Sequence, residues 1–83
     1  MDIEKYTGIE TLDMVLRNVH AIYEHGTPEN IPDRFRDLEL ERRRTTIKYK
    51  CKTLRVVIAK TRGCFTIVTV FPYPGKTPDI MLT

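Results

Sequence analysis

Nine basic residues fall between positions 42 and 62 with no acid among them: Arg42, Arg43, Arg44, Lys48, Lys50, Lys52, Arg55, Lys60 and Arg62. A run of one sign suits a polyanion, because each cation set against a phosphate releases a condensed counterion. On a strand, Lys48, Lys50 and Lys52 would project from one face at about 7 Å intervals, twice the strand rise. Lysines in such a row also keep a solvated sheet edge from aggregating. Downstream, Thr69 is a hydroxyl in an otherwise apolar run, on the alternation of Phe65, Ile67 and Phe71. Phe65, Phe71 and Tyr73 add flat surfaces on which bases could stack.

Such residues could cleave RNA without a metal. The reaction needs one group to take the 2′-OH proton, one to protonate the leaving oxygen, and cations for the charge that builds on the phosphate. His20 and His25 have suitable acidity, Arg44 and Lys48 could hold the phosphate, and Thr69 could hydrogen-bond it. Each residue also has a plain structural role. His25 stands where a helix C-terminus favours a cation, His20 borders an apolar stripe, and threonine is at home in strands.

Metal and cofactor chemistry find no support in the spacing. His20 and His25 are five apart, so a helix carries them about 140° out of register. Cys51 and Cys64 form no Cys-x-x-Cys pair, and the four glycines make no phosphate loop. Both cysteines lie in strand-like runs, where Cys serves as a small buried hydrophobe. The sequence therefore implies neither a metal nor a cofactor.

The charge is split along the chain. Positions 1–41 carry ten acids and four bases, a balance of −6, while 42–83 carry ten bases and the single acid Asp79, a balance of +9. Such asymmetry points to a polyanionic partner or to pairing between the two halves. The 83 residues, 41% hydrophobic and 30% charged, suit a single domain spanning 1–83. With no basic, apolar leader and no run long enough to span a bilayer, the expected location is the cytoplasm, with no membrane partner.

The elements that must position these groups follow from periodicity. Thr7-Gly8-Ile9-Glu10 fits a capping box. Ile9, Leu12, Val15, Leu16, Val19, Ile22 and Tyr23 recur at steps of three and four, predicting an amphipathic helix over about 8–25, with Gly26 as a left-handed terminator. Thr27-Pro28-Glu29-Asn30-Ile31-Pro32 reads as a linker. Residues 33–41 read as a short second helix or as an extended piece. The period then becomes two, predicting strands near 45–51, 54–60 and 64–71 joined by short turns. The last, apolar on both faces, is expected to be the most covered strand, and prolines then end regular structure. The expected fold is α+β, a helix packed on a three- or four-stranded antiparallel sheet. Its expected core holds Leu12, Val15, Leu16, Val19, Ile47, Val56, Ile58 and Val68.

The hairpin Thr46-Ile47-Lys48-Tyr49-Lys50 and Leu54-Arg55-Val56-Val57-Ile58-Ala59, closing with Phe65-Thr66-Ile67-Val68-Thr69-Val70-Phe71-Pro72, resembles the superfamily grouping barnase, EndoU, tRNA-cleaving colicins and RelE. The resemblance covers residues 44–72. It implies a toxin-type endoribonuclease with Thr69 in the active site and Arg44 or Lys48 on the scissile phosphate, and a cognate acidic antitoxin as a protein partner. The chain departs from the pattern in its helix, where Arg17 precedes His20 and no Arg closely follows it. Two readings outside that class stand beside it. One is a non-catalytic nucleic-acid-binding module, as in a phage or plasmid regulator, with RNA favoured over DNA. The other is an inhibitor or immunity-type protein binding a basic partner through its acidic helical half.

Overall fold

The computed structural model describes residues 8–82. The expected cap Thr7 and the side chain of Ile9 lie outside what is described. Two consecutive helices come first among the described residues, α1 (Gly8–Arg17) and α2 (Val19–Glu24). The expected single helix is broken at Asn18, whose backbone sits at φ −114°, ψ 20° and whose Nδ2 donates to the Met14 carbonyl at 2.8 Å. The Asn18 backbone N–H reaches the same carbonyl at 3.1 Å and that of Val15 at 3.2 Å, so side chain and backbone share one acceptor at the break. The buried arc runs through Thr11, Met14, Val15, Ile22 and Tyr23, so Leu16, expected in the core, is 60% exposed.

Five strands follow: β1 (Thr27–Glu29), β2 (Glu39–Tyr49), β3 (Lys52–Thr61), β4 (Cys64–Pro72) and β5 (Ile80–Leu82). They form one sheet in the order β1-β2-β3-β4, with β5 also joined to β2. The β1–β2, β2–β3 and β3–β4 pairs are antiparallel, while β5 runs parallel to β2. β1 faces residues 42–44 of β2 and β5 faces residues 47–49, so two short strands share one edge and β4 forms the other. The helices cover one face. There Val15, Ile22, Tyr23, Ile47, Leu54, Val56, Ile58 and Val70 make a continuous core, with Leu12, Val19, Phe65 and Ile67 packed at its margin.

The α+β architecture and the alternating hairpin agree with the sequence, and several details correct it. Residues 33–41 are not a second helix; a 3-10 turn at Asp33–Phe35 gives way to β2 at Glu39. β2 therefore starts six residues before position 45 and takes Arg42, Arg43 and Arg44 into the sheet. Pro28 lies in a strand, as a proline can at a sheet edge. β4 is an edge strand rather than the most covered one. Its pairing with β3 slips between Val57 and Ile58, leaving Val68 unpaired as a bulge and 40% exposed. Both cysteines are exposed, Cys51 in the β2–β3 turn and Cys64 at the start of β4.

Gly26 does not adopt the left-handed conformation expected of it; the positive-φ glycines are Gly63 and Gly75. Its role is close approach. A Cβ there would stand 2.6 Å from Thr45 Oγ1 and 2.9 Å from Arg43 Cβ. Gly26→Ala is expected to push α2 off β2 and to destabilise the fold by about 1–3 kcal/mol. A urea midpoint equal to wild type would contradict that close approach.

Candidate nucleic-acid interface

Residues paired directly across antiparallel strands share a face, and this sorts the candidates. Arg44 and Thr69 both pair with Val57, so the three form a row across β2, β3 and β4 on the face away from the helices. The neighbouring rows are Thr46–Arg55–Phe71 and Arg42–Ala59–Thr66, with Lys48 opposite Thr53 beyond them. Two strand spacings separate Arg44 from Thr69, about 10 Å between backbones.

This face is open only in part, since Arg42, Thr46, Val57 and Ala59 on it are buried, and on it Arg55 is held from two sides. Its Nε donates to Thr46 Oγ1 at 3.2 Å, and its guanidinium lies 4.4 Å from the Tyr73 ring centroid. Tyr73 also meets Phe71 edge to face at 5.8 Å and carries Lys76 at 5.5 Å over its ring. Lys48 is exposed and borders a shallow groove with Lys50, Met81 and Leu82. Arg44 has Glu29 3.9 Å away, at the limit of an ion pair. Lys76 was missed in the sequence because it lies between β4 and β5, in a proline-rich stretch with no periodicity; only the fold returns it to this face.

Other cations of the run are committed elsewhere. Arg42 makes a two-pronged pair with Glu39, at 2.9 and 2.7 Å, with both side chains about nine-tenths buried. Arg43 points to the helix side. It donates to Glu41 at 2.9 Å and to the Tyr23 carbonyl at 3.1 Å, and lies over the Tyr23 ring at 4.4 Å. The Tyr23 hydroxyl donates to the same carboxylate at 2.9 Å. Arg43 and then Tyr23 hold the Glu41 carboxyl below its ordinary pKa. Burial, and then Glu41, raise that of Tyr23.

The three lysines do not form one stripe. Lys50 lies in the hairpin turn at φ +56° and donates to Glu10, and Lys52 pairs with Tyr49 on the opposite face from Lys48. Lys60 is on the helix side opposite Phe65, and Arg62 is exposed in the β3–β4 turn. His20 meets Phe65 edge to face at 4.8 Å, and Phe65 packs on the core, so this imidazole stands on the helix side of the sheet. There it lines a cleft of about 570 Å³ with Val19, Lys60, Thr61, Gly63, Cys64 and Phe65. His25 caps α2, its backbone N–H bonded to Ala21.

The fold thus divides the candidates. Arg44, Lys48, Arg55, Thr69, Phe71 and Tyr73 share the open face, whereas His20 and Lys60 meet across the sheet from it. No group of three His, Cys, Asp or Glu side chains suited to a metal occurs among the described residues. No described helix is long and apolar enough to cross a membrane.

The Glu41 network sets a pH dependence. A carboxyl with a depressed folded pKa contributes stability above its unfolded value, near 4.5, and loses it as pH falls through the folded value. Glu41→Gln should flatten the acid limb of stability in urea titrations between about pH 5 and pH 2. A mutant limb as steep as wild type would rule the network out as its source. Searches with the chain match no protein-family model, no curated protein and no solved structure.

Proposed function

We propose that the protein binds single-stranded nucleic acid, RNA in the first instance, through the open face of its sheet and without turning it over. The observation that carries this reading is the cluster of Arg55, Tyr73, Phe71 and Lys76, next to Lys48 and in line with Arg44 and Thr69. It combines cations for the backbone with aromatic rings for bases, the two ingredients of sequence-tolerant single-strand binding. Of the acids near this face, Glu29 and Glu39 already face arginines, and the Asp79 carboxylate accepts from the Thr46 N–H. A sheet face with aromatic rings also suits a splayed single strand, whose unstacked bases are free to stack on them.

The ribonuclease suggested by the strand resemblance needs a proton carrier beside the phosphate. The row of Arg44 and Thr69 lies on one side of the sheet and His20 on the other, which supports binding over cleavage. Toxin and antitoxin roles have no support of their own in the geometry.

Titration of a labelled RNA oligonucleotide at several salt concentrations tests this. Each neutralised phosphate contributes about 0.7 to the log–log slope on a single strand. Lys48→Gln with Arg55→Gln should flatten the slope by about 1.4, two contacts' worth, whereas Lys60→Gln should leave it unchanged. Tyr73→Ala should weaken binding by about 1–3 kcal/mol, the worth of one base stack. Equal slopes in the double variant and wild type would remove the open face as the binding surface. RNA fragments ending in 2′,3′-cyclic phosphate, lost on Thr69→Val, would replace binding with catalysis.

A further inference from the structure

The two edges of the sheet are built differently. On one side the edge is broken between β1 and β5, three residues each. The backbone hydrogen-bonding groups of β2 are thereby taken up along much of its length. On the other side β4 runs nine residues, Cys-Phe-Thr-Ile-Val-Thr-Val-Phe-Pro, and no described residue pairs with its outer edge. The strand contains no charged residue. Proteins blunt exposed edges with lysines, prolines, bulges or short strands. β4 has only the Val68 bulge and the terminal Pro72, and the bulge leaves Val68 40% exposed at the middle of the strand. Phe65, Ile67, Thr69 and Phe71 are each only partly covered.

We infer that β4 pairs antiparallel with β4 of a second copy of this chain, joining two sheets into one. The chemistry of the edge selects that partner. A strand without charges meets its own copy without like-charge repulsion and offers the same β-branched and aromatic rows from both sides, which a two-fold contact requires. A partner of different sequence would use no feature of β4 that a copy lacks. The two-fold axis that pairs edge strands antiparallel stands perpendicular to the sheet, so both helical layers lie on one side and both open faces on the other. The dimer presents one continuous sheet surface with the Arg44, Lys48 and Arg55 clusters of both copies, although the inference does not depend on what that surface binds.

An edge contact of nine residues is small beside the roughly 800 Å² per partner of a standard stable interface, so the dimer is weak and concentration-dependent. Each copy carries a formal +3, and Arg62 lies just before the strand. Raising salt screens this repulsion and should tighten the dimer, opposite to its effect on nucleic-acid binding.

Sedimentation equilibrium of the full chain, without nucleic acid and with reductant, should show a monomer–dimer equilibrium in the micromolar range that shifts toward dimer with salt. Val68→Lys should weaken it at least about tenfold, a change of 1.4 kcal/mol. Leu38→Lys, at a 63% exposed site away from the strand, should not. Circular dichroism checks that both variants fold. Hydrogen exchange of the wild type provides a measurement without mutation: amides within residues 64–71 should gain protection with concentration while those of β1 and β5 do not. A monomer up to about 500 µM, a dimer weakened by Leu38→Lys instead, or protection rising elsewhere would each overturn the inference.

Discussion

The C-terminal end of α2 depends on β2. The helix has six residues, far fewer than an isolated helix needs in water, and its last carbonyls have no partner inside it. The Thr45 hydroxyl, 1% exposed, donates to the Ile22 carbonyl at 2.7 Å, and Arg43 donates to that of Tyr23. Gly26 then lets the chain pass close against the strand. β2 also pairs with β1, β3 and β5, so one strand fixes the helical layer, the central hairpin and the returning C-terminal segment. That return is pinned where the Asp79 N–H meets the Thr46 carbonyl at 2.6 Å and the Asp79 carboxylate accepts from the Thr46 N–H at 2.8 Å.

Charge separation along the sequence becomes partial pairing in space. Glu10 meets Lys50, Glu29 approaches Arg44, Glu39 clasps Arg42 and Glu41 holds Arg43. The acidic first half therefore supplies counterions to the basic second half, the alternative that its composition allowed. The Arg42–Glu39 pair is nearly buried, and its value lies less in net stability than in leaving neither charge alone in a poor dielectric. Pairing consumes cations unevenly, drawing most on residues 42–44 and leaving Lys48, Arg55 and Lys76 as the stronger claim to an external anion.

What the sequence disclosed, and where it misled, follows from the counting of alternate residues. From Thr45 to Tyr49 the facing alternates, and Thr45, Ile47 and Tyr49 are buried as expected, but Thr46, expected on the wet face, is buried as well, bonded to Arg55 and Asp79. The same counting carried through Val68 puts Thr69 with Phe65 and Ile67; the bulge reverses the faces, sending Thr69 and Phe71 outward and Val70 into the core. A second irregularity between Glu39 and Glu41 lets Glu39 reach Arg42, three residues on. Bulges carry no reliable residue signature, so strand existence is readable from local pattern while facing beyond a bulge is not. The site was half legible for the same reason: residue types pointed to Arg44, Lys48, Arg55, Phe71 and Tyr73, but nothing local could tell that His20 would lie across the sheet. The break at Asn18 and the exposure of Leu16 were hidden under an uninterrupted apolar stripe.

The exposed thiols have a further consequence. Cys51 immediately precedes β3 and Cys64 pairs with its last residue, Thr61, so the two sulfurs mark opposite ends of a ten-residue strand, about 30 Å apart at the rise of a β-strand. A disulfide requires Cα atoms within about 7 Å. The folded chain therefore cannot close an internal bridge, and any oxidation that joins cysteines must join molecules. With one exposed thiol at each end of β3, the monomer has two separate points at which a bridge to another molecule can form.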